Sequence, residues 1–400
     1  MAERVLISGA SIAGPALAFW LGRAGYEVVV IERAPALREG GYAVDFRGAA
    51  HFGVLEKMGN VLPRLRELET GGGAMRFIDQ KGRTKMFLPT EFAGGELEVR
   101  RADISRTIVA QTTGRIAYRF SESIRALHQS PDEVTVTFES GATETFDFVF
   151  GCDGIHSNVR RLAFGDQPFE RFLGYYIASW DIPGHEAPLD ESVLCNAPGR
   201  MIGVTPAGRD GSPAGVMAMF KSPELTYPRR DISRHKDTLR RLFGDMKWRV
   251  PELLRSLDET DDVFINTISR ATVPQWSIGR VALVGDAAGG TSIGGMGTGT
   301  AIVAAYILAV ELGRTPKDYS GAFARYQARV EPYAAACSKN GETSGNFLAP
   351  GSVTTLFLRN AMFSFPPIKT WMINLANESG ADIELPEETI DAVEEHLSGA

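Results

Sequence analysis

Three glycine-rich turns, each directly after a short apolar run, carry the residue types and spacing in this chain that could do chemistry. The first is Gly9-Ala10-Ser11-Ile12-Ala13-Gly14. Glycine at its first and sixth positions lets the chain leave a strand, turn tightly and set a helix close against that strand. The open N–H groups at the start of such a helix attract a phosphate. The middle position of this dinucleotide fingerprint is normally glycine and here is Ser11. Serine is small and its hydroxyl can donate to a phosphate oxygen. An acid about 20 residues on binds a ribose hydroxyl in such sites. Glu32 stands there, followed by Arg33. The chemistry implied is dinucleotide recognition.

The second turn is Gly151-Cys152-Asp153-Gly154, after Phe148-Val149-Phe150 and before the helix-starting pair Ser157-Asn158. The third is Gly285-Asp286, after the apolar residues 281–284. It opens a loop through Gly294, Gly295, Met296, Gly297, Thr298 and Gly299 into an apolar helix expected over 301–312. Such a loop again offers N–H groups and a positive dipole end to an anion. An aspartate just past a strand can accept from a ribitol or ribose hydroxyl.

In this order, over some 300 residues, the three turns resemble those of the flavoprotein monooxygenases of the p-hydroxybenzoate hydroxylase class. Within that class the chain is similar to tetracycline-inactivating and actinobacterial polyketide hydroxylases. The segments Gly40-Gly41-Tyr42-Ala43-Val44-Asp45-Phe46-Arg47-Gly48 and Arg100-Arg101-Ala102-Asp103-Ile104 support this. The resemblance implies an FAD-dependent monooxygenase that consumes NADPH or NADH and O2. It would hydroxylate an aromatic or polycyclic polyketide-like small molecule through a flavin C4a-hydroperoxide.

By the same resemblance, Gly9, Ser11, Ile12, Ala13, Gly14, Glu32 and Arg33 would hold the adenosine half of FAD. Arg101 would reach the phosphates or ribityl chain, Asp153 the pyrophosphate region, and Gly285 and Asp286 the ribityl hydroxyls. Gly295, Met296, Gly297 and Thr298 would approach the isoalloxazine ring, with Asp45 nearby. Arg38 is a candidate for the phosphate of the nicotinamide cofactor. Two departures stand in the late loop: Gly289 where the class often has histidine or an aromatic, and no proline in Thr291-Ser292-Ile293. Other flavin chemistry on the same fold, oxidase, reductase or halogenase, is the alternative. The halogenase pattern of paired tryptophans is reduced to one in Ser179-Trp180-Asp181-Ile182-Pro183.

The elements that must position these residues read as an α/β chain. A Rossmann-like FAD-binding domain is expected from 1–70, 100–167 and 273–345. A mixed β-sheet substrate domain, 71–99 and 168–272, is inserted in it, and helices follow in 346–400. Residues 4–8 and 27–31 read as buried strands flanking a helix over 12–23, with Gly25 ending it. The second domain shows strand-like runs at 174–180, 192–195, 201–205 and 214–220, then an arginine-rich helical stretch at 229–257. Helices are expected at 353–362 and 368–377. Substrate contacts are expected from Tyr42, Phe92, Trp180, Met217, Met219 and Phe220. The six histidines show neither triad nor metal spacing, and a structural or exposed role is expected for each.

Bulk properties agree with a small-molecule enzyme. Hydrophobic residues make up 44% of the 400 positions, which is enough for a sizeable core. The net charge of −7 gives no general attraction to nucleic acid or anionic lipid. Three scattered cysteines form no metal or disulfide pattern and are expected to be reduced thiols. Residues 1–4 lead straight into a strand, so no signal segment is expected. The longest apolar run, 301–310, is well short of the ~20 residues that span a bilayer. A cytoplasmic monomer or weak homodimer follows, with no metal, nucleic-acid or membrane partner.

Overall fold

The aliphatic runs at 4–8 and 27–32 become the central parallel pair of a six-stranded sheet in the computed structural model. The model describes residues 2–365 and 383–386, apart from 38–42, 71–72, 91–94, 113, 185–186, 188–189, 209–212, 227–230, 295 and 316. The sheet runs Ser277–Ile278, Val281–Leu283, Phe148–Gly151, Arg4–Ser8, Glu27–Glu32, Ala117–Phe120. All neighbours are parallel except the first pair. Strands of such a sheet are covered on both faces, which is why Val5, Leu6, Ile7, Val149 and Phe150 are all fully buried.

The strands that precede the three turns, Arg4–Ser8, Phe148–Gly151 and Val281–Leu283, are adjacent in this sheet. Parallel strands end on the same side, so the three turns emerge together. The fingerprint helix is Ala13–Arg23, followed by Ala24 as cap and by Gly25 at φ +84°. Pro15 lies in its first turn, where no intrahelical N–H is needed. The late helix is Gly297–Arg314, starting four residues before the expected 301 because Gly297, Thr298 and Gly299 join its first turn.

A second sheet has eight strands, ordered Gly289–Thr291, Phe264–Thr272, Glu170–Asp181, Gly215–Lys221, Arg200–Thr205, Glu191–Ala197, Ala74–Ile78, Thr84–Leu88. It is antiparallel except between Glu191–Ala197 and Ala74–Ile78. Its faces are distinct. Tyr176, Ala178, Trp180, Ala218 and Phe220 point to one side, under helices Ile232–Phe243 and Val250–Arg255. Tyr175, Ile177, Met217, Met219 and Ile268 point to the other, beside Ile293 of the glycine loop. The arginine-rich helical stretch holds these two helices. Arg240 pairs there with Asp237 and Asp258, as a solvated face should.

Periodicity did not reveal the helix that joins the two sheets. Tyr319–Leu348 is 30 residues long and contains Pro332. Phe323, Tyr326 and Val330 pack in the first core, while Phe347 and Leu348 pack in the second. The Tyr175 hydroxyl donates to Asn346 Oδ1 at 2.9 Å. Helix Val353–Ser364 follows, started by a Ser352–Thr355 capping box. The second tail helix expected at 368–377 lies outside the described residues. Among the described residues, no helix is long and apolar enough to cross a membrane.

Candidate cofactor and substrate site

The three turns touch, and glycine is what lets them. Gly9 has φ +111°, and a Cβ there would lie 2.5 Å from the Cys152 carbonyl oxygen. A Cβ on Gly14 would lie 1.8 Å from the carbonyl oxygen of Gly9. The first turn is thus moulded onto itself and onto the middle turn. Gly285, at φ +65°, sits between Ala13 and Ala301, whose Cβ atoms would be 3.3 and 3.2 Å from its own. That places the late turn between the starts of the two helices.

Neither helix start is satisfied by a side chain. Ile12 and Met296 precede the two helices without a capping hydrogen bond, and neither first turn holds an acid. Met296 is left-handed at φ +50°. The N–H groups of both first turns therefore remain available to an anion or a carbonyl oxygen. Glu32 ends its strand with Oε2 accepting from Ala10 N at 3.0 Å and Oε1 from Ala34 N at 2.9 Å. It braces the fingerprint turn at the place where a ribose would bind. Arg33 is exposed.

The two aspartates differ. Asp153 Oδ2 accepts from Asn158 N at 2.8 Å and Val159 N at 3.0 Å, and its Oδ1 accepts from Ser157 Oγ. Its carboxylate is spent on the helix that follows. Asp286 accepts from no donor among the described residues, and Arg101 is its electrostatic partner. Burial pushes its carboxyl up, and Arg101 opposes the shift. Arg101 Nε is buried without a partner. A buried donor left unpaired is costly, so an unsatisfied guanidinium N–H beside an open aspartate points to a polar ligand.

Sequence spacing missed two residues that tie the turns together. Ser105, on helix Arg101–Thr112, donates to the carbonyls of Ala10 at 3.1 Å and Ser11 at 2.6 Å. Arg160 is buried and donates to Ala287 O at 2.9 Å and Ile155 O at 2.6 Å, joining the middle turn to the late loop. Only the arginine three residues past Ser157 was a readable signal. Asp45, on strand Ala43–Phe46, pairs with Arg47, the residue just before helix Gly48–Lys57. Arg38, Tyr42, Phe92 and Gly295 lie outside the described residues.

The nominated substrate contacts divide. Strand neighbours point to opposite faces, so Met217 and Met219 face the glycine loop whereas Trp180 and Phe220 face the covering helices. Trp180 Nε1 donates to Ser256 Oγ at 2.9 Å inside that layer, and Phe220 is fully buried there. The expectation that Trp180 and Phe220 line the pocket is therefore corrected: they are core residues. The loop-facing side instead presents half-buried Met75, Ser179, Met217, Phe264 and Asn266, of which Ser179 is in register with Met217 on one side and Phe264 on the other. Among the described residues, no group of His, Cys, Asp and Glu could hold a metal.

Open helix starts, the unpaired Nε of Arg101 and the open Asp286 fit a large anionic dinucleotide with a polyol chain, as FAD is. Comparison with known proteins agrees. The FAD binding domain family matches residues 3–340. A flavin-dependent monooxygenase of Legionella longbeachae is 33% identical over 360 residues, covering 88% of this chain and 91% of its own. The crystal structure of tetracycline destructase Tet(55) is 32% identical with a TM-score of 0.80, covering 97% of this chain and 99% of its own. That of Tet(51) is 28% identical with a TM-score of 0.82, covering 97% and 100%.

Proposed function

The chain belongs to the FAD binding domain family and is an FAD-dependent monooxygenase; from that premise we propose that it uses NAD(P)H and O2 to hydroxylate an aromatic or polycyclic polyketide-like small molecule. The observation that carries the proposal is the platform of Met75, Met217 and Phe264, interleaved with Ser179 and Asn266, on the sheet face that shares a core layer with Ile293. A flat apolar surface with a few neutral hydrogen-bonding groups suits a polycyclic ring system. The tetracycline destructases Tet(51) and Tet(55), of the same fold, support the substrate class.

Bound FAD supplies two-electron activation of O2 and delivery of one oxygen atom to an electron-rich carbon. In this reading the residues of the chain bind and orient. The turn of Gly9, Ser11, Ile12, Ala13 and Gly14 receives the pyrophosphate on its open N–H groups. Glu32 accepts from the adenosine ribose, with Arg33 at the rim. Arg101 donates to the phosphate or ribityl oxygens, and Asp286 accepts from a ribityl hydroxyl beside Gly285. Met296, Gly297 and Thr298, at the start of the late helix, would hold the isoalloxazine end of the flavin. Asp153 acts indirectly, by fixing the turn that supports Gly9. The platform holds the substrate edge and keeps water from the reacting carbon.

The test is a panel of polycyclic phenols, tetracyclines among them, offered with NADPH or NADH under oxygen-18 gas. One labelled oxygen atom in the product, with NAD(P)H oxidation stimulated by that compound, is expected. Stimulated oxidation that yields only hydrogen peroxide and unlabelled product would replace hydroxylation with oxidase chemistry.

A further inference from the structure

His51 belongs to helix Gly48–Lys57, outside all three turns, yet its ring lies against the late one. It is buried at 1% exposure. A Cβ on Gly299 would lie between 2.1 and 2.3 Å from three atoms of the imidazole. Gly299 is in the first turn of the late helix, with an ordinary negative φ, so backbone freedom does not require glycine there. The imidazole does.

Both ring nitrogens are engaged. Arg47 N donates to Nδ1 at 3.1 Å. Nε2 is 2.7 Å from the Tyr333 hydroxyl. Burial lowers the imidazole pKa to about 4, against the opposing pull of Asp45, so the ring is neutral near pH 7. A neutral ring that accepts at Nδ1 carries its proton on Nε2 and donates it to Tyr333. One side chain thus joins the strand end at Arg47, the first turn of the late helix and the long helix Tyr319–Leu348. On its other side the loop is held by the same long helix: a Cβ on Gly341 would meet Thr291 Oγ1 at 2.1 Å, and one on Gly294 would meet Ser344 Oγ at 2.1 Å.

We propose that His51 is a positioning residue for the flavin: wedged between Arg47, Gly299 and Tyr333, it sets where the open N–H groups of the late helix point. The proposal rests on FAD being the ligand of that loop. A fixed donor set costs no reorganisation when the ligand arrives, so the wedge acts on affinity and on the ring's surroundings more than on overall folding.

The experiment uses the full chain, freed of flavin and titrated with FAD. His51→Phe keeps a ring in the wedge and removes both hydrogen bonds. FAD should bind about tenfold more weakly, the order expected when buried partners are left unsatisfied, and the visible band of bound flavin should shift. Tyr333→Phe should show a smaller change in the same direction. Gly299→Ala drives a methyl into the imidazole and should weaken FAD further, while His51→Ala added to it should recover affinity. Unchanged affinity and spectrum in His51→Phe, with only a lower melting temperature, would overturn the proposal, as would a double variant no better than Gly299→Ala. If Gly299→Ala does not fold, His51→Phe and Tyr333→Phe decide. A parent that binds no FAD defeats the family reading instead.

Discussion

At the first glycine turn, an added methyl group meets main chain: 1.8 Å from Gly9 O at Gly14, 2.5 Å from Cys152 O at Gly9. On the loop-facing side of the second sheet, Met75, Met217 and Phe264 are half-buried side chains that could shrink or change shape without touching any ladder hydrogen bond. In the proposed reading the first region offers mainly backbone N–H groups and the second side chains. Backbone sites tolerate few residue types and recognise a constant ligand. Side-chain sites on a regular sheet can vary at low cost, which suits a substrate that differs among relatives.

The sharpest way to break this contrast is Gly14→Ala. The added methyl cannot be relieved by rotating a side chain, so the variant should lose more than ~3 kcal/mol and purify without flavin. A yellow, stable variant, judged by flavin-to-protein absorbance and melting temperature, would show that the turn is not close-packed. Phe220→Ala against Met217→Ala tests the two faces of the sheet. Loss of the fully buried Phe220 ring should cost ~3–5 kcal/mol in denaturant unfolding. Met217→Ala should cost roughly 1 kcal/mol and instead change substrate KM by about tenfold. Equal stability losses would erase the assignment of faces.

Glu98 tests the antiparallel ribbon of Ala43–Phe46 and Leu97–Arg100. It stands directly opposite Asp45, and burial, with Asp45 and Glu69 adding to it, raises its pKa to about 7. A carboxyl raised on folding favours the native state while protonated. Its contribution is fully present below the unfolded value near 4.5 and is lost as pH rises through about 7. Stability should therefore fall by roughly 3 kcal/mol from this group between those limits. Glu98→Gln should flatten that part of the melting-temperature profile; an unchanged profile would place the titration elsewhere.

The smallest effects separate the two aspartates. Asp153→Ala removes a helix cap and should lower apoprotein stability by ~1 kcal/mol. Asp286→Ala should leave the apoprotein nearly as stable and weaken FAD by about tenfold. The reverse pattern in calorimetry and FAD titration would exchange their roles.

The cofactor half of this architecture was legible because its signals are local. A strand, a tight glycine turn and a helix are contiguous, and the acid at Glu32 follows at a fixed distance set by one helix and one strand. Strand alternation was legible too, and it placed the four runs of the second sheet within a few residues of their observed limits. The face of each run was not. Alternation names two sets of residues, and which set faces the glycine loop depends on what packs against the sheet, so Trp180 and Phe220 read like Met217. The same limit hid Tyr319–Leu348, whose polar and small residues are matched to two different cores along its length. It hid His51 as well, since nothing near it in sequence announces Gly299, 248 positions away. The amino-acid order by itself determined that this chain makes a dinucleotide cradle and an alternating sheet. Tertiary packing alone decided which aspartate stays open, which face of the second sheet looks toward the glycine loop and which histidine supports that loop, because those depend on contacts between residues far apart in the chain.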